Sequence, residues 1–194
     1  DFAVLAEDAN LCKVGQAMES LRAEVIAIPP FESRFLKEGL AVHFRCQAPG
    51  VEGLRVDVMT NMRGVDSFPE LWQRRFPVRD SAGGTVNLLD VHDLVKAKKT
   101  QRDKDWPMIQ RLMEVRYLAG GEEPPADEIE FWLDELRTPE LLVDVAQRYP
   151  EETGRRLNHR KLLEFATNKD RARLERALLE EMLTEKERDR RHWE

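Results

Sequence analysis

Two aspartates stand next to apolar side chains, where a carboxylate is unfavourable unless it meets a cleft, a partner or a metal ion. Asp57 interrupts an alternating stretch, and Asp1 precedes the first apolar run of the chain. Successive side chains of a strand point to opposite faces, so Asp57 is expected on the face opposite its apolar neighbours. Those neighbours are Leu54, Val56 and Val58. If the two runs form adjacent strands, both carboxylates could point into one pocket.

A pair of carboxylates in one pocket suits phosphoryl or nucleotidyl transfer. Mg²⁺ prefers hard oxygen ligands, and it neutralises charge on a triphosphate. The alternative is that Asp57 is a solvated, outward residue on a half-exposed strand. The spacing of the residues alone leaves both interpretations open.

The most distinctive stretch, residues 89–106, joins two predicted helices through a polar turn. It contains five closely spaced basic side chains, which are Lys96, Lys98, Lys99, Arg102 and Lys104. Such cations can bind phosphate oxygens, but lysines near a helix C-terminus are also favoured by the helix dipole alone. Asp105 could orient one of these cations or cap the next helix, and the proline at position 107 favours the cap.

The elements that would position these residues form a mixed α/β arrangement. Apolar residues at helical spacing predict a helix over 11–21, after the first strand. A strand over 40–46 and the strand that carries Asp57 are joined by a loop with proline and glycine, which predicts an antiparallel pair. A further strand is expected at 86–89, and Asp90 is placed to cap the helix that bears the lysines.

The rest of the chain is predicted to be helical. Gly120–Gly121 should end the helix that starts at Asp105, and a proline-containing linker follows. The charged end of the last helix, residues 185–191, is expected to be solvated and frayed. The predicted organisation is an α+β domain over 1–121 and an all-helical extension over 122–194.

Composition excludes several classes of protein. The chain has 194 residues, 41% of them hydrophobic and 35% charged, and a net charge of −6, which argues against a general nucleic-acid coat protein. Cys12 and Cys46 show no metal-binding spacing, so a zinc site or a disulfide framework is not expected. The sequence contains neither an apolar run of the ~18 residues that a membrane span needs nor a signal-peptide pattern. A cytoplasmic protein without a membrane partner is the expectation.

The order of these motifs resembles the minimal nucleotidyltransferases of the DNA polymerase beta-like superfamily, closest to the branch of abortive-infection-type toxins. The similar motifs are the "DFAVL" run from Asp1, the pattern 55–58 around Asp57, and a "DL…K…R.KD" pattern within 89–106. The similarity spans roughly residues 1–118. In that family two acids one residue apart precede the apolar run. Asp1 would be the second of them and Asp57 the third acid, so a segment with a Gly-Ser or Gly-Gly turn and the first acid is expected upstream.

The resemblance implies an α+β fold, a nucleotidyltransferase-like mixed sheet flanked by helices. It implies Mg²⁺ or Mn²⁺ as cofactor, held by Asp1 and Asp57, with Lys98 as a third catalytic residue. The implied nucleotide-binding residues are Lys96, Arg102, Lys104 and Asp105. The implied partners are a nucleoside triphosphate, an acceptor hydroxyl on tRNA, protein or a small molecule, and an antitoxin if the chain is the toxin of a toxin–antitoxin pair.

Two other functions remain open. The chain could keep the fold as a non-catalytic binding module, in which case the upstream segment lacks the first acid. It could also be a helical interaction protein that works through the region beyond residue 122. Removing that region would then abolish partner binding, and Asp57→Asn would have no effect.

Overall fold

The computed structural model describes residues 1–194 and contains ten helices and six strands, so the predicted α+β class is confirmed. The chain forms two compact units, Asp1–Ala97 and Lys98–Glu194. The division falls at the end of a lysine-bearing helix, whereas the sequence placed a domain boundary at residue 121. None of the helices combines the length and the apolar character that crossing a membrane requires.

The first unit contains all the strands. They are β1 (Phe2–Ala3), β2 (Glu24–Val25), β3 (Val42–Arg45), β4 (Arg55–Met59), β5 (Phe76–Arg79) and β6 (Thr85–Leu88). The helices that begin in this unit are α1 (Asp8–Ser20), α2 (Ser33–Lys37), α3 (Phe68–Arg74) and α4 (Val91–Lys98). Asp90 accepts a hydrogen bond from the backbone N–H of His92, so the predicted cap of α4 is confirmed.

Four strands form the main sheet in the order β1-β4-β3-β2. β3 and β4 are antiparallel, as predicted, with Val42 level with Val58. β1 lies parallel to β4, with Phe2 level with Val58. The strand that follows Asp1 and the strand that carries Asp57 are therefore neighbours, which was the condition for bringing the two acids together.

One face of this sheet is the core of the first unit. Its buried residues are Leu11, Leu36, Val42, Phe44, Cys46, Val56 and Val58. The alternation of β4 thus places its valines in the core and Asp57 on the opposite face, as predicted. Leu54 was expected on the same strand face as the two valines, but it precedes β4 and is 53% exposed.

A second, two-stranded sheet pairs β5 with β6. β6 was expected, but β5 was not. Both strands are exposed along their whole length, so β5 has no buried face that an alternating pattern could reveal. Asp80 stabilises the connecting turn, because its carboxylate accepts hydrogen bonds from the backbone N–H groups of Ala82 and Gly84.

The second unit is helical from residue 105 onward. Its helices are α5 (Asp105–Ala119), α6 (Ala126–Glu135), α7 (Pro139–Arg148), α8 (Pro150–Arg156), α9 (Leu163–Thr167) and α10 (Arg171–Trp193). Its core includes Ile109, Met113, Trp132, Leu133, Leu142, Leu163 and Leu174. The ring of Trp132 packs edge-on against Tyr117, with 4.9 Å between the ring centroids.

The end of α10 differs from expectation. The segment 185–191 is regular helix, and α10 continues through Trp193. Asp189, within this segment, is only 3% exposed. The prediction of a frayed end was wrong, whereas the prediction of solvation holds for Arg188, Arg190 and Arg191, which are exposed. Asp189 is the exception, because a tertiary contact buries it.

Candidate functional site

Asp57 lies on the outer face of the main sheet, where two basic side chains hold its carboxylate. Arg55, two residues earlier on the same face of β4, donates from Nε to Asp57 Oδ1 at 2.8 Å. His43 stands directly opposite on β3, with Nδ1 at 2.8 Å from the same oxygen. The Asp57 side chain is 17% exposed. It is thus held by partners rather than freely solvated.

Whether Nδ1 of His43 carries a proton decides whether it donates a hydrogen bond or accepts one. Nδ1 also lies 3.1 Å from Nη2 of Arg55. A protonated Nδ1 donates to the carboxylate of Asp57, and an unprotonated one accepts from the guanidinium.

Opposing effects act on the pKa of Asp57. Partial burial raises it, but hydrogen bonds from Arg55 and His43, together with their charge, outweigh burial and hold the pKa below the usual carboxyl value. Asp57 is therefore an anion at neutral pH. Both contacts go to Oδ1, so Oδ2 is the oxygen that lies outside them.

Asp1 directly precedes β1, the strand that pairs with β4. Phe2 is level with Val58 in this parallel pair, and Asp1 and Asp57 are the residues that precede them. Level residues of parallel strands point to the same side of a sheet. Asp1 is exposed. Continuing the register of β1 back by one residue would place Asp1 opposite Asp57, which makes the two carboxylates candidates for one site.

These carboxylates fit one mode of divalent-cation binding. No group of three or more His, Cys, Asp or Glu side chains in residues 1–194 could form a complete protein cage for a metal. Mg²⁺ does not need such a cage, because it keeps several waters and binds through one or two carboxylates together with substrate phosphates. Asp1 and Oδ2 of Asp57 are donors of that kind.

A second cluster forms in the basic turn, residues 98–104, around the buried Asp105 of α5. Asp105 accepts from Thr100 Oγ1 at 2.5 Å and from Arg102 Nε at 2.9 Å. Nζ of Lys98 lies 4.0 Å from its other oxygen. The helix cap is Lys104, and α5 begins at Asp105 itself, so the expectation that Asp105 serves as the cap was wrong. It orients the two cations instead.

The predicted site residues thus fall into two sets. In the first unit Asp1 precedes β1, which pairs with the strand that carries Asp57, while Lys96 is an exposed residue of α4. In the second unit, Lys98 and Arg102 lie at Asp105, and Lys104 is exposed outside that cluster.

Sequence reasoning missed the two partners of Asp57. Arg55 was detectable, because residues two apart on a strand share a face. His43 was not, because only the register of β3 against β4 places it opposite Asp57.

No family model, curated protein or solved structure matches this chain. The features of the chain that bear on function are therefore the carboxylates of Asp1 and Asp57 and the basic turn.

Proposed function

We propose that this chain is a metal-dependent nucleotidyltransferase, which moves a nucleoside monophosphate from a nucleoside triphosphate to a hydroxyl of an RNA, a protein or a small molecule. The observation that carries the proposal is the parallel pairing of β1 with β4, which makes the strand that follows Asp1 a neighbour of the strand that carries Asp57. The motif resemblance extends the proposal to a toxin that acts on tRNA or protein and is restrained by an antitoxin.

The reaction needs a hydroxyl oxygen to bond to the α-phosphorus while the bond from that phosphorus to pyrophosphate breaks. The hydroxyl proton passes to solvent water, and pyrophosphate leaves with the electron pair of the broken bond. When bound, Mg²⁺ or Mn²⁺ would neutralise charge on the triphosphate and lower the pKa of the acceptor hydroxyl. Asp1 and Asp57 would hold it, and the lowered pKa of Asp57 keeps that ligand ionised.

The basic turn has the chemistry to bind phosphate oxygens. Arg102 presents a guanidinium that is about half exposed, and Lys98 presents a partly exposed ammonium. Asp105 restricts the side-chain conformations of both cations, so less conformational entropy is lost when they bind an anion. Lys98 and Arg102 are therefore the residues that we assign to the triphosphate.

One feature favours a second candidate, a binding module without catalysis. Arg55 and His43 already occupy one oxygen of Asp57. A cation so close to a carboxylate competes with a metal ion for it. In a non-catalytic module this contact would simply neutralise a strand carboxylate.

The decisive experiment measures label transfer from each α-labelled nucleoside triphosphate, with Mg²⁺ or Mn²⁺ and a mixture of RNA and protein acceptors. The protein is expressed with whatever sequence naturally flanks residues 1–194. We expect Asp57→Asn to reduce transfer to the level of a blank, because the amide is a far weaker metal ligand than the carboxylate. The amide oxygen still accepts from Arg55, so the fold should survive.

Asp8→Asn is the matched control, since it removes an exposed carboxylate that pairs with Ser33 and Lys37. This variant should transfer label as the wild type does. Transfer that persists in Asp57→Asn would refute the assignment of Asp57. Absence of transfer by the wild type with every nucleotide would favour the binding module.

A further inference from the structure

The C-terminal part of α10 contains a buried carboxylate, that of Asp189, in a position where the helix dipole and the loss of hydration both disfavour a negative charge. Asp189 lies near the negative end of the helix dipole, where the other ionisable residues of the last turn are basic. It is 3% exposed, although most of its charged neighbours on α10 are accessible. A buried carboxylate needs hydrogen-bond donors to offset its lost hydration.

Asp189 obtains one of its donors from the basic turn. The backbone N–H of Gln101 donates to Oδ2 of Asp189 at 2.8 Å, across 88 residues of sequence. Trp193 Nε1 donates to Oδ1 at 3.2 Å, so both oxygens of the carboxylate are used. The helix end thus binds the middle of the turn through its backbone, independently of the side chain at position 101.

Two ion pairs hold the turn on either side of this bond. Lys186, one turn before Asp189 on α10, pairs with Asp103. Lys99 donates to Glu135 of α6 at 2.6 Å. The anchors at positions 99 and 101 lie between the cations at 98 and 102, and the anchor at 103 follows them. The backbone that carries Lys98 and Arg102 is therefore fixed from outside, while Asp105 orients their side chains.

We propose that the end of α10 is a clamp on the basic turn, and that Asp189 is a positioning residue for the triphosphate-binding cations Lys98 and Arg102. The positioning role rests on the proposed function, whereas the clamp is a property of the fold alone. Asp189 itself touches no substrate. It acts by holding the Gln101 amide, and thus the spacing of the two cations.

The first measurement is amide hydrogen exchange at Gln101, read by NMR in the full chain. Asp189→Ala should speed this exchange about tenfold or more, because the amide loses a charged acceptor. Asp189→Asn keeps one acceptor oxygen and should restore most of the protection. The amide of the buried Leu133, near the C-terminal end of α6, should exchange at the same rate in all variants, which separates local release of the turn from general loss of stability.

The second measurement is the affinity of the same proteins for tripolyphosphate with Mg²⁺, the chemistry that all four nucleotides share. Asp189→Ala should weaken binding several-fold, Lys186→Met less, and Asp189→Asn least. Glu187→Gln is the control, since Glu187 pairs only with Arg190 and Arg191 on its own helix, and it should change neither readout.

The outcomes are separable. Equal exchange of the Gln101 amide in wild type and Asp189→Ala would overturn the clamp. Faster exchange with unchanged tripolyphosphate affinity would overturn the positioning role. If the wild-type protein does not bind tripolyphosphate, the proposed function and the positioning role fail together, while the exchange rates still decide the clamp.

Discussion

Arg160 shows how much of the helical unit depends on a single buried cation. Its guanidinium donates to the backbone carbonyl oxygens of Leu133 at 2.8 Å and Leu136 at 3.0 Å, which lie at the C-terminal end of α6. It also donates twice to Glu181 of α10, at 3.0 and 2.8 Å. One side chain therefore satisfies helix-end carbonyls and pairs with a carboxylate of another helix.

Replacing Arg160 by alanine should lower the free energy of unfolding by about 3–5 kcal/mol, because two carbonyl groups of α6 lose this donor and Glu181 keeps only its contact with Arg137. Arg160→Lys should cost less, since an ammonium can still donate to some of these oxygens. Urea denaturation measures both. Arg155→Ala is the control: Arg155 is exposed and pairs with Glu152, so the change should stay within about 0.5 kcal/mol. Equal effects at 155 and 160 would contradict this account.

At the scale of elements, the junction of α5 and α6 depends on a close approach at Gly120. A Cβ built on Gly120 would lie 2.2 Å from Cζ2 of the buried Trp132. The backbone of Gly120 is in the right-handed region, so this glycine is required for space. Glycine is favoured at position 121 for a different reason: its φ is +72°, a backbone conformation that residues with a Cβ rarely adopt.

Gly120→Ala should therefore destabilise the protein by about 1–3 kcal/mol through overpacking against Trp132. Gly154→Ala is the matched comparison, because Gly154 lies within α8 and its Cβ would meet open space. That substitution should raise stability by up to about 1 kcal/mol, the helix-propensity difference between the two residues. Thermal unfolding of the two variants measures the contrast, and a destabilised Gly154→Ala or an unaffected Gly120→Ala would show that it is wrong.

The elements that the sequence predicted well are those whose pattern coincides with burial. The alternation around Asp57 corresponds to β4, with Val56 and Val58 buried. Asp90 caps the N-terminus of α4, as expected. β5 was missed because no face of it is buried, and the end of α10 was misjudged because Asp189 is held by a distant backbone group. Local patterns report burial and caps, but not contacts between segments far apart in sequence.

At the scale of the whole molecule, acid should destabilise this protein. Carboxylates in both units have pKa values below their usual range, and these are Asp8, Asp57, Asp103, Glu114 and Glu181. A carboxylate with a depressed pKa stabilises the fold fully above its unfolded pKa, and the contribution is lost as pH falls through the folded pKa. The 31 lysines and arginines then also lose their negative counterparts.

The free energy of unfolding should therefore fall steadily below about pH 4, the usual range of carboxyl groups. Glu181 allows a specific test. Burial raises its pKa, but hydrogen bonding and charge from Arg160, with the charges of Arg137 and Lys99, outweigh burial and lower it. Wild type should be more stable than Glu181→Gln at pH 7, and the difference should shrink as the acid is protonated. A difference that is constant from pH 7 to pH 3 would contradict this. Urea titrations over that range measure it.

The sequence by itself determined the α+β class, the strand that carries Asp57 and the basic composition of residues 96–104. Periodicity, caps and turns involve residues that are close in sequence, so they can be recognised from the sequence alone. Only the tertiary structure decided that β1, which follows Asp1, pairs with β4, that His43 faces the carboxylate of Asp57, and that Asp189 holds the turn at Gln101. These are matters of strand register and of hydrogen bonds between residues up to 88 positions apart, which no local pattern encodes.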